Sequence, residues 1–443
     1  MADTIKMPET LRAEVSNGSP GGSVSNGIVQ VQDSTITDIR RIAAPLGLKE
    51  YWYPALEARE VRNKPVGLKL LGEDLVFFRG ANDQVTALWN VCPHRGASLM
   101  KGDCHYEGTI TCPYHGWTFD GDGNCFAVLP EGPDSKVPGR IKARTYPTLT
   151  LKGMVFVWMG EGEPVAPEED IPPELFDDHT MMLYSKEIWP VNWQVGLENG
   201  TDAHVAYVHR NAIRSLMFPM WPAGPVGQRH KIVKGRKVVH LPSTLSVRMP
   251  THPMERIYFS ALDATWPKHN YRGLWNWLVA PMKRRAGHLP PWGIPEEWGM
   301  GHRLPCMFRS DHKTDIYTRN CVPVTENESR QIYFKAVHAS SWLGRMYESV
   351  QYHLYGRWMQ VSNFSKQDMH AMIGQRYDTQ EYLSTTDSEV ILWRRLILQA
   401  RGMMKPEEAT SIAATAAERT SFQMHEEWGQ EPERPEIMIK AES

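Results

Sequence analysis

Two short loops, each with a cysteine and a histidine, constrain this chain more than any other feature. The first lies in NVCPHRGASL and carries Cys92 and His94; the second lies in CPYHGWTFDGDG and carries Cys112 and His115. Both loops contain proline and glycine, and both lie among short runs of β-forming residues such as QVTALWN and LTLKGMVFVWMG. The region therefore predicts a compact all-β domain that presents the two loops as a pair.

Two thiolates and two imidazoles at these spacings can bind metal in two ways. They can hold tetrahedral zinc, or a [2Fe–2S] cluster with both cysteines on one iron and both histidines on the other. Loops of this kind turn backbone N–H groups toward bridging sulfides, and Tyr114 and Trp117 add aromatic cover, which favours the cluster. Imidazole in place of thiolate raises the reduction potential, so the cluster would readily accept an electron.

The remaining cysteines fit no ligand spacing, and we expect them to be small buried residues. They are Cys104, Cys125, Cys306 and Cys321.

Composition excludes several kinds of partner. The formal net charge of -2 over 443 residues leaves no excess of positive charge to neutralise nucleic-acid phosphates. No apolar run approaches the roughly 18 residues that a membrane-spanning helix needs. The polar N-terminus MADTIKMPET carries no secretory signal. We expect a cytoplasmic protein with reduced cysteines and without a membrane partner.

Changes in residue pattern divide the chain into three parts. Turn-formers in SNGSPGGSVSNG cannot nucleate a core, so residues 1–45 are expected to be a flexible arm. Residues 46–165 form the cluster domain, and residues 166–443 mix strands with helices. In this last part we predict hairpins in KIVKGRKVVHL and DIYTRNCVPVTENESRQIYFKAV, a helix through GRMYESVQYHLYGRWMQVSNF into Asp368, and a helix in DSEVILWRRLILQARG.

A second motif lies in WQVGLENGTDAHVAYVHR, where Asp202, His204 and His209 stand among apolar residues. On a regular helix the two histidines would lie about 140° apart, which an irregular or widened turn can accommodate. One such histidine alone would more often be a satisfied core residue. Two beside an acid, downstream of a redox cluster, favour a 2-His-1-carboxylate site for Fe(II), which leaves positions open for O2 and water.

With both motifs in place, the chain resembles the catalytic (alpha) subunit of Rieske non-heme iron ring-hydroxylating oxygenases, most of all the carbazole dioxygenase and 2-oxoquinoline monooxygenase type. The resemblance implies an α+β fold, in which an all-β Rieske [2Fe–2S] domain precedes a helix-grip-like catalytic domain with an antiparallel sheet and a mononuclear iron. It also implies that a helical carboxylate completes the iron site with His204 and His209. The segment SKQDMHAMIGQ offers Asp368 for this role, with Asp378 and Asp387 as alternatives.

The same resemblance gives Asp202 a role between subunits. An aspartate at this place in the family joins the first iron histidine to a cluster histidine of the neighbouring subunit in a trimer. Here His204 follows Asp202 by two positions, one fewer than in the pattern of the subfamily. The local helix geometry therefore stays open, as does the choice for Glu198 and Asn199 between orienting an iron ligand and lying on a polar helix face.

The resemblance implies a terminal oxygenase that takes electrons from a ferredoxin and an NAD(P)H-dependent reductase. It would use O2 for mono- or cis-dihydroxylation of an aromatic or N-heteroaromatic compound, as a homotrimer. An N- or O-demethylase would share both metal sites and differ in its pocket. An electron carrier would need only the Rieske domain, and the long downstream region argues against it. Candidates for the pocket wall are Met217, Phe218, Met220, Trp221, Trp275, Trp277 and Trp342.

Overall fold

The computed structural model describes residues 46–200, 208–209, 301–311, 315–339 and 341–375, together with four strands and four single residues outside these ranges. The four strands are β1 (Val24–Ser25) and β2 (Ile28–Val29), and β14 (Gln228–Val233) and β15 (Lys237–Pro242). The single residues are Val390, Trp393, Arg394 and Ile397. Apart from β1 and β2, the arm predicted over residues 1–45 lies outside the described residues.

Ten short strands build the N-terminal domain. They are β3 (Trp52–Glu57), β4 (Val66–Leu70), β5 (Glu73–Arg79), β6 (Val85–Trp89), β7 (Thr109–Thr111), β8 (Trp117–Asp120), β9 (Cys125–Val128), β10 (Thr145–Tyr146), β11 (Thr148–Leu151) and β12 (Met154–Trp158). They form three antiparallel sheets, in the orders β10-β6-β5-β4, β11-β12-β3 and β7-β8-β9. The predicted all-β domain is confirmed.

Single 3-10 turns link several of these strands and lead into the second domain. They are Ala58–Glu60, Ala81–Asp83, Leu99–Lys101, Leu129–Glu131, Pro167–Glu169 and Pro173–Leu175.

Strand β5 shows how this domain supports its loops. Successive strand residues point to opposite faces, so Leu75 and Phe77 enter one core while Val76 and Phe78 enter another. The second core also contains Cys92 and Cys112. Because its side chains alternate between the two cores, β5 packs beneath the two loops that carry Cys92 and Cys112.

The catalytic domain contains a five-stranded antiparallel sheet in the order β13-β19-β18-β17-β16. Its strands are β13 (Thr180–Trp189), β16 (Gly301–Arg303), β17 (Met307–Asp311), β18 (Ile316–Thr325) and β19 (Glu328–His338). Strands β18 and β19 form the predicted hairpin, which closes where Thr325 pairs with Glu328. Strands β14 and β15 form the other predicted hairpin, with Ile232 opposite Val238. The predicted α+β class with an antiparallel catalytic sheet is confirmed.

Three α-helices accompany this sheet in the described part of the chain. Helix α1 (Trp193–Glu198) begins at Asn192, whose side chain accepts a hydrogen bond from the Gln194 N–H at 2.9 Å. Helix α2 (Trp342–Gln351) continues through two π-helical stretches, Tyr352–Gly356 and Trp358–Ser365, into helix α3 (Lys366–Met372). The predicted continuous helix into Asp368 is confirmed, but its wide π-helical winding was not predicted.

The five-stranded sheet packs against the N-terminal strands on one face and against the π-helical stretch on the other. On one face, the Phe334 ring lies 6.2 Å from Phe156 of β12, and the two belong to one hydrophobic core that spans both domains. On the other face, Tyr333 packs with Val361 of the π-helical stretch. None of the described helices is long and apolar enough to cross a bilayer.

Candidate metal centres

The two N-terminal loops repeat the same backbone arrangement. The N–H of Cys92 and of Cys112 donates to the carbonyl five positions later, at 2.8 and 2.7 Å. Four positions after each cysteine, Gly96 or Gly116 donates its N–H to the cysteine carbonyl, at 2.9 and 3.1 Å. These glycines have φ angles of 74° and 62°, a conformation that side chains disfavour. Each loop is therefore a tight turn closed at the cysteine.

The four predicted cluster ligands lie together, with the two cysteines next to each other and the two histidines next to each other. Cys92 and Cys112 are each 2% exposed and belong to the same hydrophobic core. Burial is the largest cause that raises the pKa of Cys92, to about 11, and the neighbouring Cys112 thiol acts in the same direction. Hydrogen bonds from the backbone oppose this rise. The His94 and His115 ring centroids lie 4.7 Å apart at the rim. A pair of sulfurs below a pair of nitrogens suits a [2Fe–2S] cluster with two cysteines on one iron and two histidines on the other.

Aromatic side chains fix the two imidazoles. Trp117 stacks on His94 with ring centroids 4.5 Å apart and planes 3° apart. Tyr114, which is 60% exposed, lies 3.7 Å from His115 between centroids. Partial desolvation, followed by the nearby charges of His94 and Arg95, lowers the pKa of His115. The surroundings of His115 therefore favour its neutral ring, and the imidazole edge of the site faces the protein surface.

The other cysteines behave as predicted. Cys125, Cys306 and Cys321 are buried, and Cys104 is half-buried against the core below the loops.

The second predicted site is described in part. Asp202 and His204 lie outside the described residues, whereas His209 and Asp368 are both buried, with 0% and 3% exposure. His209 Nε2 lies 2.9 Å from Asp368 Oδ1. Two donors about 2.1 Å from one octahedral ion would stand about 3.0 Å apart. The pair thus suits a shared metal, although no three histidine, cysteine or acidic side chains of the described residues form a complete ion site by themselves.

Arg319, which the sequence did not indicate, links the two elements that lead to this pair. Its guanidinium donates to the Gly196 carbonyl at 2.8 Å and to Asn199 Oδ1 at 3.2 Å, and it lies 3.9 Å from Asp368 Oδ2. Burial opposes the charge, but Cys321, Tyr317 and Asp368 outweigh it and raise the pKa of Arg319. A permanent cation therefore connects the end of α1 to α3.

Glu198 is also part of a buried network. Arg394 donates to both of its carboxylate oxygens, at 2.8 and 3.0 Å, and Gln194 donates to one of them at 3.0 Å. Glu198 and Asn199 are 4% and 6% exposed. Both side chains are therefore buried in a polar network and do not lie on a solvent-exposed helix face, while the choice between orienting an iron ligand and lying on a polar helix face stays a prediction. The predicted C-terminal helix is represented by Arg394 and three buried apolar neighbours, all of them helical, while its other residues lie outside the described part.

Of the predicted pocket wall, only Trp342 is described. It is 72% exposed at the start of α2, so it does not line an enclosed pocket within the described part of the chain. The other candidates lie outside the described residues. A cavity of about 160 Å³ is present between the sheet and the π-helical stretch, and four tyrosines are among its lining residues. They are Tyr317, Tyr333, Tyr352 and Tyr355.

Two sequence families match consecutive parts of the chain. The Rieske [2Fe-2S] domain matches residues 51–147, and the homotrimeric ring hydroxylase family matches residues 158–236. The chain is 35% identical over 211 residues to the carbazole 1,9a-dioxygenase terminal oxygenase component of Metapseudomonas resinovorans, covering 45% of this chain and 55% of that protein. It is 34% identical over 173 residues to the phthalate 4,5-dioxygenase oxygenase subunit of Pseudomonas putida, covering 38% and 39%. The matched part spans about half the length of these curated relatives, or less.

Solved structures extend the likeness to most of the fold. The terminal oxygenase of carbazole 1,9a-dioxygenase from Novosphingobium matches with a TM-score of 0.64 and 25% identity, over 84% of this chain and 98% of that one. The reduced complex between oxygenase and ferredoxin in carbazole 1,9a-dioxygenase matches with a TM-score of 0.61 and 21% identity, over 86% and 98%. The second of these shows likeness of fold alone.

Proposed function

Because the chain joins a Rieske [2Fe–2S] domain to a ring-hydroxylase domain, we propose that it is the terminal oxygenase of a multicomponent system. It takes electrons from a ferredoxin and a reductase and uses O2 to hydroxylate an aromatic or N-heteroaromatic compound. The observation that carries this proposal is the buried contact of His209 Nε2 with Asp368 Oδ1 at 2.9 Å. A protein that only carries electrons would need the cluster loops but would not need a buried His209–Asp368 pair in a second domain.

In the proposed enzyme, Cys92, Cys112, His94 and His115 hold the cluster. When bound, the cluster and the mononuclear iron would supply single-electron transfer and oxygen activation. The loop residues keep the thiols away from water and leave both imidazoles at the surface, where a donor protein can approach. The ferredoxin complex known for an oxygenase of the same fold supports a ferredoxin as donor.

We assign His204, His209 and Asp368 as ligands of the mononuclear iron. Asp202 is proposed to join His204 to the partner subunit's His115, as the family resemblance implies. The roles of Asp202 and His204 rest on the sequence, since both lie outside the described residues. The match to a family described as homotrimeric supports the trimer that this electron path needs.

The same arrangement suits oxidation of an apolar ring. The complete burial of His209 excludes water from one side of the site. The carbazole dioxygenase and phthalate dioxygenase relatives support an aromatic substrate. We also propose a location in the cytoplasm, where thiol ligands stay reduced for cluster assembly.

Metal analysis of the full chain tests this function. We expect one [2Fe–2S] cluster and one further iron per chain, and oxygen uptake with carbazoles or quinolines when ferredoxin and reductase are supplied. Asp368→Asn should lose the further iron and all turnover while it keeps the visible spectrum of the cluster. Asp378→Asn and Asp387→Asn, at the two alternative acids, serve as matched controls and should keep both.

Two results would contradict the proposal. A protein that holds cluster iron only and takes up no oxygen is not an oxygenase. Turnover confined to N- or O-methylated compounds, with release of formaldehyde, would support the demethylase instead.

A further inference from the structure

Three side chains at the junction of the π-helical stretch and α3 contact the His209 ring. Phe364 stacks on its face, with ring centroids 3.5 Å apart and planes 17° apart. Asp368 Oδ1 lies 2.9 Å from Nε2, and Gln367 Oε1 lies 3.1 Å from Nδ1. The spacings of three and four positions after Phe364 place these residues on one helix face. The ring is therefore fixed in its plane and contacted at both nitrogens.

We infer that Gln367 is a positioning residue that selects the metal-binding tautomer of His209. The inference rests on the proposed function, in which Nε2 binds iron. A neutral imidazole carries one proton, and the nitrogen that binds metal must be the one without it. An amide oxygen only accepts, so Gln367 Oε1 keeps the proton on Nδ1 and leaves the Nε2 lone pair directed at the metal position.

The opposite amide orientation would have the opposite effect. If the Gln367 NH2 group donated to Nδ1, the proton would move to Nε2 and point at Asp368 Oδ1, 2.9 Å away. His209 and Asp368 would then form a hydrogen-bonded pair with no lone pair free for a metal. The orientation of one amide thus separates a metal site from a buried His–Asp contact.

A neutral amide also suits the local charge. Arg319 lies 3.9 Å from Asp368 Oδ2, so the carboxylate already has one cationic neighbour besides the proposed iron. Gln367 orients His209 without adding a second carboxylate, and hence a second negative charge, beside Asp368. It is half-buried, which lets its side chain reach the ring from the edge of the site.

The test measures Fe(II) binding at the mononuclear site of the full chain, with the cluster intact. After this iron is removed, Fe(II) is returned without oxygen against a competing chelator, and nitric oxide is added so that the iron reports by electron paramagnetic resonance. We expect Gln367→Leu to weaken Fe(II) binding by about 10–100-fold and to alter the Fe(II)–nitric oxide signal. Gln367→Glu keeps an oxygen acceptor and should restore most of the affinity.

Gln375→Leu is the matched control, because Gln375 is exposed just beyond the end of α3. It should bind Fe(II) as the unmodified chain does. If Gln367→Leu does not fold, Gln367→Asn replaces it, since the shorter amide draws the acceptor away from Nδ1. Gln367→Asn should then bind Fe(II) more weakly than Gln367→Glu.

Equal Fe(II) affinity and an unchanged signal in the Gln367 variants would overturn the inference and leave the proposed function intact. Absence of any iron beyond the cluster in the unmodified chain would overturn the proposed function itself, and the inference with it. The two failures are therefore distinguishable.

Discussion

The two candidate metal centres differ in how their donors are brought together. In the Rieske domain, Cys92 and His115 belong to neighbouring loops, and the imidazoles reach the surface. In the catalytic domain, His209 and Asp368 come from distant parts of the chain and are buried. A centre that exchanges electrons with other proteins benefits from an exposed edge, whereas one that oxidises a substrate benefits from exclusion of water. The contrast fits a division of labour within one chain.

The largest expected effect is that of Cys112→Ser, which tests whether the two centres are independent. Loss of one thiolate should remove the whole cluster, with all acid-labile sulfide and the visible absorption, because the cluster needs both cysteines. The mononuclear iron should stay, since its donors lie in the other domain. Iron and sulfide analysis with a visible spectrum measures both.

Cys125→Ser is the control for this substitution. Cys125 is as buried as Cys112, but its thiol donates to the Ala127 carbonyl, at 3.7 Å, and lies in no metal-ligand spacing. It should keep the cluster. Simultaneous loss of the mononuclear iron in Cys112→Ser would mean that the two centres are not independent.

An intermediate effect is expected for Arg319→Met, which probes how far the buried centre depends on distant contacts. Removing the cation breaks the buried link that Arg319 makes between Asp368 and Asn199. Loss of one member of a buried charged network lowers the free energy of unfolding by about 3–5 kcal/mol. The melting temperature should therefore fall clearly, by the same amount at pH 6 and pH 8, because arginine does not titrate there.

Arg59→Met provides the reference for this change. The Arg59 side chain is 72% exposed and pairs with Glu57 at the surface, so its loss should cost less than about 0.5 kcal/mol. Calorimetry of both variants would settle the comparison. Equal melting temperatures for the two would show that Arg319 does not stabilise the catalytic domain.

The smallest effect is expected for Glu73→Gln, in the Rieske domain. Tyr146, Lys49 and Arg144 together outweigh the opposing effect of burial and lower the pKa of Glu73. A lowered folded-state pKa stabilises the protein above the unfolded pKa of about 4.3, and this contribution is lost as the pH falls through the folded value. Because Lys49 and Arg144 are about half exposed, the loss at pH 7 should be about 1 kcal/mol or less.

Melting temperatures from pH 7 down to pH 3 measure this contribution. The difference between Glu73→Gln and the unmodified chain should narrow as the pH falls. A difference that stays constant over this range would mean that packing, and not charge, keeps Glu73 in place.

The same contrast explains what the sequence could predict. The grouping of the four predicted cluster ligands was predictable because they and the turn-forming glycines lie within two short loops, where spacing reports geometry. Asp368 was predicted through a resemblance, since nothing local connects it to His209. Arg319, Gln367 and Arg394 left no local signal, because their roles depend on contacts between distant segments.

The π-helical stretches before Asp368 were missed for a related reason. A hydrophobic pattern indicates a helix, but bonds from each residue to the fifth one along leave no separate mark in composition. The prediction of a helix through this region was confirmed, and its winding emerged only in the folded chain.

The hydrophobic core that spans both domains has a thermodynamic consequence. Phe156 of the Rieske domain and Phe334 of the catalytic sheet belong to one cluster, and the Leu71 N–H donates to the Pro323 carbonyl at 2.9 Å across the same boundary. Unfolding either part would expose the apolar face that the other needs covered. The two domains should therefore melt in a single endotherm, and a fragment cut near residue 165 would not be an autonomous folding unit.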